Sequence, residues 1–390
     1  MANVNFAPNK MKQIYLDHAA TTPVDPEVVK VMLPYFSEKY GNASSQHELG
    51  KEAKLALEES RKTIAKSINA LPEEIYFTSG GTESNNWALK EVYFANPTKK
   101  KIITSKIEHD SVLENAKFLE RMGVKIVYLD VNKEGFINME QLKKEIDANT
   151  LLVSIIHGNN EIGTIQNIGE IGKICKERGV YFHTDACQSY TKTEIDVRNQ
   201  NIDLMTLNAH KIYGPKGIGA LYIRKGVRIF PMLHGGGHEK GFRSGTENIP
   251  SIVGFAKAVQ IANKKDNERI LKLRDQTIQK LLKIRGVKLN GSKENRLCNN
   301  INISFGDVEG EAIGSYLNAY GIFISTGSAC ASNKLEKSHV LRAIRLNDLG
   351  INSSIRISLS KYTKQKEIEE FISKLNLVIE RLRKISPFAK

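Results

Sequence analysis

Between about Ile75 and Ile223, short apolar and β-branched runs alternate with amphipathic stretches. The runs begin at Ile75, Ile102, Val124, Leu151, Val180, Leu204 and Ile218. Strand-length runs separated by helical patterns predict an α/β fold with a mainly parallel central sheet and flanking helical crossovers. Helices are predicted over residues 48–69, 83–94, 111–122 and 168–178, with Gly123 and Gly179 where two C-caps should fall. A charged segment over residues 256–285 carries apolar residues at mostly helical spacing and reads as the bridge into a smaller domain. Near the end, Ile368, Phe371, Ile372, Leu375, Val378, Ile379 and Leu382 recur at steps of three and four, one apolar helix face that serves packing.

At 390 residues the chain exceeds what one hydrophobic core ordinarily supports. A large domain over residues 16–260 and a smaller α+β domain built from residues 1–15 and 261–390 are therefore expected. Apolar runs such as residues 151–156 fall far short of the roughly 20 residues that cross a bilayer. The N-terminus has no apolar signal core, so a cytoplasmic protein without membrane contact is expected. The four cysteines, Cys175, Cys187, Cys298 and Cys330, form no Cys-x-x-Cys pair, which argues against a zinc site or a disulfide framework. A net charge of +14 would suit nucleic acid or an acidic protein, but the lysines are dispersed and no basic stretch carries aromatic residues for base stacking. Direct nucleic-acid binding is not expected.

Five segments put glycine or polar residues at strand ends, where open α/β sheets bind ligands. Residues 78–86, Thr-Ser-Gly-Gly-Thr-Glu-Ser-Asn-Asn, follow a strand and open a helix, so their amide groups suit a phosphate; such turns are as often structural. Residues 180–188 end a strand in Asp185 and Gln188, and a carboxylate fixed there suits a protonated pyridine nitrogen, though Asp185 alone would read as a helix cap. Lys211, between His210 and a Gly-Pro turn, is a costly place for a charge unless it reacts, as in Schiff-base formation. His109, after the strand at Ile102, is able to lie on an aromatic cofactor and move protons near neutral pH; standing alone it would be structural. The small-residue run around Cys330 is expected to form a mobile loop with a reactive thiol, against the alternative of a buried cysteine.

In order along the chain these segments resemble the cysteine desulfurases, pyridoxal-phosphate enzymes of the class V aminotransferase-like, fold-type I group. The resemblance extends through Asp17-His-Ala-Ala-Thr-Thr-Pro23, Asn159-Asn-Glu-Ile-Gly163, His234-Gly-Gly-Gly-His238 and Ser354-Ile-Arg-Ile-Ser-Leu-Ser360. It implies that Lys211 carries the pyridoxal 5'-phosphate, Asp185 pairs with its ring nitrogen, Gln188 contacts its hydroxyl and His109 stacks on it. Gly81, Thr82, Asn208 and His210 are implied to hold the phosphate, with Thr246 contributed by a second subunit, hence a homodimer. Asn160 and Arg356 are implied to bind the carboxylate of L-cysteine, and Cys330 to receive the sulfur as a persulfide. The loop over about residues 325–336 resembles the long-loop, housekeeping and nitrogen-fixation branch. Implied acceptors are iron-sulfur scaffold proteins and carriers for tRNA thiolation; a metal would enter through the acceptor's cluster, with none bound by this chain. Two positions depart from the family pattern: Asn208 stands where serine is usual, and Cys187 where another small residue is usual.

Overall fold

In the computed structural model, which describes residues 13–326 and 337–385, seven strands build the central sheet. They are Ile75–Thr78 (β1), Lys101–Ser105 (β2), Lys125–Leu129 (β3), Thr150–Ser154 (β4), Tyr181–Asp185 (β5), Leu204–Asn208 (β6) and Gly219–Ile223 (β7). Their spatial order is β1-β7-β6-β5-β4-β2-β3. Neighbours from β6 through to β3 run parallel, as the alternating pattern predicts. β7 runs antiparallel to both β6 and β1. Its link to β6, residues 209–218, is too short for a helical crossover, so the chain returns antiparallel.

Successive residues of each strand face opposite sides, and the apolar positions divide accordingly. Ile103, Val153, Met205 and Ala220 join a cluster with Leu57 and Ile64 of the helix Glu48–Ser67 and Ile252 and Phe255 of the helix Ile249–Ile261. Ile102, Leu152, Leu204 and Leu221 face a second cluster with Trp87, Val112 and Leu119. Helices thus cover both faces, which is why these strands read as unbroken apolar runs.

Two predicted helices differ in detail. The predicted 83–94 segment begins earlier, at Gly81–Asn86, and continues through a π turn at Trp87–Glu91 into Val92–Ala95. The 256–285 segment is two helices, Ile249–Ile261 and Lys264–Leu281. Ala262 between them is extended, and the Asn263 side chain accepts the Asp266 amide at 2.9 Å. A polar N-cap offers the backbone an alternative partner and starts a new helix there.

A second sheet contains Lys288–Leu289 (β8), Asn300–Ser304 (β9), Ser325–Thr326 (β10) and Ser354–Ser358 (β11), in the antiparallel order β10-β11-β9-β8. The helix Gln365–Ile385 packs its Phe371, Leu375 and Val378 into the core beneath it. The N-terminal Ile14–Tyr15 pairs in parallel with Ile322–Phe323, so Ile14 and Leu16 belong to this core. Conversely, Val340 and Leu341 of the helix His339–Ala343 are buried in the large sheet's core. Among the described residues no helix is long and apolar enough to cross a membrane.

Candidate functional site

The C-terminal ends of β1, β2, β4, β5 and β6 open toward one region, the edge of an open α/β sheet where ligands bind. β5 ends at Asp185, buried, with Oδ2 accepting from Asn85 Nδ2 at 2.8 Å and Oδ1 from the Cys187 amide at 2.9 Å. Burial alone would raise its pKa; the nearby His109 and these two donors hold the carboxyl below its usual range. Asn85 also donates to Ser111 Oγ at 2.8 Å, and that hydroxyl meets His109 Nδ1 at 2.8 Å. One polar chain therefore joins the aspartate to the histidine.

His109 caps the helix Asp110–Arg121: its Nδ1 accepts the Ser111 amide at 3.1 Å. Since an amide only donates, the neutral ring carries its proton on Nε2. Burial first, then the charge of Lys211, lowers its pKa and keeps the ring neutral.

Lys211 lies just beyond β6. Its carbonyl accepts from Lys192 Nζ at 3.2 Å, and the same ammonium donates to the Gln188 carbonyl at 2.9 Å. Burial pushes Lys192 down to about 8. The neighbouring His210 is pinned by the N-terminal segment, its carbonyl receiving Thr22 N at 2.9 Å and Thr22 Oγ1 at 2.8 Å. Burial, then Lys211, pushes the His210 imidazole down to about 4. Gln188 is buried and its Nε2 donates to the Ala19 carbonyl at 2.9 Å.

Gly81 opens the helix after β1, and a Cβ there would meet Cys187 Sγ at 2.6 Å and Asn208 Nδ2 at 3.7 Å. The two positions that depart from the family pattern thus close on the same glycine. Asn208 is buried with Oδ1 unpartnered among the described residues, while Thr82 is exposed on the first helical turn. Thr246 is exposed too, and no hydrogen bond among the described residues joins it to this group; its expected role concerns a second subunit.

Arg356, buried on β11, donates from Nη1 to the Asn160 carbonyl at 3.0 Å and from Nη2 to Asp17 Oδ1 at 2.8 Å. Among the described residues its Nε and the Oδ1 of Asn160 are buried without partners, a donor and an acceptor left over beside each other's residue. Cys330 lies outside the described residues. Cys175, Cys187 and Cys298 are buried, and burial first, with Asp185 beside it, pushes the Cys187 thiol well up.

Sequence reasoning missed several residues. Asn85 and Ser111 lie within or beside the motifs singled out, but nothing in their spacing reveals that they bridge Asp185 and His109. Glu108 is fully buried; burial pushes its carboxyl up to about 8, against hydrogen bonds from Ser105 Oγ at 2.5 Å and the Ile156 amide at 3.0 Å. A glutamate next to a cap histidine reads as surface until the fold is seen.

The chain matches the aminotransferase class-V family model over residues 14–371. It is 50% identical over 382 residues to the cysteine desulfurase IscS of Dictyoglomus turgidum, covering 97% of each chain. Among solved structures, a NifS-like protein superposes with a TM-score of 0.90 at 39% identity, covering 95% of this chain and all of that one. SspA in complex with cysteine gives a TM-score of 0.81 at 38% identity over 90% of this chain and all of that one. With a family model spanning nearly the whole chain and a half-identical relative of matching length, the chain belongs to the class-V aminotransferases and, within them, to the cysteine desulfurases.

Proposed function

We propose that the chain removes sulfur from L-cysteine, giving L-alanine and a persulfide on Cys330, with pyridoxal 5'-phosphate as cofactor. The observation that carries this reading is the convergence of Lys211, the buried anionic Asp185 and the neutral His109, with Arg356 beside Asn160 keeping a buried Nε donor that has no partner among the described residues. The donor set fits the cofactor: an anion held below its usual range suits a pyridinium, and the Gly81 turn that opens a helix, with the Asn208 Nδ2 donor beside it, suits a phosphate.

When bound, pyridoxal phosphate supplies an electron sink for chemistry at the substrate's α and β carbons. Lys211 would hold it covalently, Asp185 face its ring nitrogen, Gln188 its hydroxyl and His109 its ring. Gly81, Thr82, Asn208 and His210 would surround the phosphate, with Thr246 of the partner subunit in a homodimer. Arg356, with Asn160, binds the substrate carboxylate; the guanidinium fork suits that planar anion. The Lys211 amine would serve as the base for the substrate's α proton. His109, with Nδ1 committed to Ser111, exchanges protons through Nε2.

A free thiol with a pKa of about 8.5 is mostly protonated near neutrality, so Cys330 needs a proton acceptor, a task open to a neutral His109. The Cys330 thiolate attacks the substrate sulfur: the S–S bond forms, the carbon–sulfur bond breaks, and its electron pair stays with the carbon fragment. Protonation of that fragment gives alanine.

The persulfide is useful only when handed on, and an iron-sulfur scaffold or another sulfur-accepting protein in the cytoplasm is the proposed recipient. The test is to incubate purified protein with L-cysteine, quantify alanine, and weigh the Cys330 peptide for one added sulfur. Cys330→Ser is expected to keep the visible absorbance of the cofactor and lose the protein-bound sulfur. Undiminished alanine and sulfide formation in that variant would refute the role of Cys330. Labelled cysteine followed through cell extract identifies the acceptor.

A further inference from the structure

Glu161 adjoins Asn160 and is buried, yet the chemistry above gives it no task. Its backbone is tied on both sides: its amide donates to Asn159 Oδ1 at 2.9 Å, and its carbonyl accepts from Asn300 Nδ2 at 3.0 Å and Asn302 Nδ2 at 3.2 Å on β9. Its side chain does something else. Ser338 Oγ donates to Glu161 Oε2 at 2.5 Å, and both residues are buried.

Ser338 is the N-cap of the helix His339–Ala343, its hydroxyl also accepting the Leu341 amide at 3.1 Å. The next residue repeats the attachment: His339 Nε2 donates to the carbonyl of Glu108, the residue before His109, at 2.9 Å. Val340 and Leu341 then bury in the large core. The start of this helix is thus fixed to the two strand-end loops that carry Asn160 and His109.

In sequence, this helix follows the segment that contains Cys330. On the other side of that segment, Ser325 of β10 stands directly opposite Arg356 of β11. Arg356 in turn donates to the Asn160 carbonyl. Both chain ends leading to Cys330 are therefore tied within one residue of a proposed substrate-carboxylate ligand, Ser325 across from Arg356 and Ser338 on the neighbour of Asn160.

We propose that Glu161, through its hydrogen bond to Ser338, is a positioning residue for sulfur transfer: it fixes the chain that leads back from Cys330 relative to the substrate carboxylate site. It touches neither substrate nor cofactor; it acts through Ser338. The inference rests on the sulfur-transfer role of Cys330 proposed above.

The test compares Ser338→Ala, Glu161→Gln and Ser338→Thr with the wild-type holoenzyme. Two quantities are read: the rate of persulfide formation on Cys330 at saturating L-cysteine, and the affinity for L-alanine from the change in cofactor absorbance. L-alanine has the same carboxylate and amine but no sulfur, so it reports the substrate site alone. Ser338→Ala is expected to slow persulfide formation about tenfold with L-alanine affinity kept within about twofold, Glu161→Gln to slow it less, and Ser338→Thr, which retains the hydroxyl, to restore it. The inference is overturned if Ser338→Ala forms persulfide at the wild-type rate. It is equally overturned if rate and L-alanine affinity fall by the same factor, which is the mark of a general structural lesion, or if Ser338→Thr fails to rescue. Absence of persulfide in the wild type would instead remove the function on which the inference rests.

Discussion

Substituting Gly81 by alanine tests how tightly the wall beside the proposed phosphate site is built. The added methyl would stand 2.6 Å from Cys187 Sγ, about 1 Å inside the ordinary contact distance of roughly 3.5–4.0 Å. Cys187 is 6% exposed, so its thiol has little free space to rotate into, and overpacking of this kind costs about 1–3 kcal/mol. Opposing it, alanine in place of glycine favours a helix by up to about 1 kcal/mol, and Gly81 begins one. The contact is the larger effect, so Gly81→Ala should be net destabilising by about 1–2 kcal/mol, a loss of a few degrees in Tm at roughly 2 °C per kcal/mol. Removing the sulfur should reverse the sign: in a Cys187→Ala background the same Gly81→Ala change should be neutral or slightly stabilising. The assay is thermal unfolding by circular dichroism of the four proteins stripped of cofactor, analysed as a double-mutant cycle with an expected coupling of about 1–3 kcal/mol. An unchanged or higher Tm for Gly81→Ala alone would refute the reasoning, as would a penalty that persists without the thiol.

Three further outcomes are expected. Glu108 has a folded pKa raised to about 8 by burial, so the native state holds its proton where the unfolded chain has lost it; its contribution to stability is complete below the ordinary glutamate range near 4.5 and is lost as pH rises through about 8. Urea denaturation from pH 5 to 9 should show this loss in the wild type and less of it in Glu108→Gln; an equal decline in both would argue against it. Arg356→Lys cannot serve both the Asn160 carbonyl and Asp17 as the fork does, and KM for L-cysteine should rise about tenfold or more in steady-state alanine assays; an unchanged KM would exclude it as the carboxylate ligand. Leu341→Ala, at a fully buried site, should lose about 2–5 kcal/mol in chemical denaturation, whereas a loss under 1 kcal/mol would mean that the helix His339–Ala343 does not pack as described.

Much of the fold was legible because it rests on periodic burial. The strand runs are apolar because helices cover both faces of the sheet, and Phe371, Leu375 and Val378 mark the inner face of the last helix. The antiparallel β7 was not read from its apolar run, since periodicity carries no direction; the short link over residues 209–218 holds that information. The break at Ala262 had a readable signal in the Asn263-x-x-Asp266 cap, overridden by the helical spacing on either side. At the site, Lys211, Asp185 and His109 stood out because charged or titratable residues at strand ends are costly without a purpose. Asn85 and Ser111 did not, because their role exists only between partners: Asn85 reaches Asp185 across 100 positions. Glu161 and Ser338 are separated by 177 positions and meet only in the folded chain.

The exchange of short segments between the two cores sets a schedule for synthesis. Ile14 and Leu16, made first, find their neighbours only when Ile322 and Ile357 exist. The large core, otherwise complete by about Ile261, still lacks Val340, Leu341, Ile344 and Ile351. A nascent chain emerging from the ribosome therefore carries an unfilled apolar seam until those residues are made, and such contacts between distant parts of the chain form late and slowly. Neither core closes before residues beyond about Val340 have left the exit tunnel, and until then the apolar seam is open to the contacts that chaperones make.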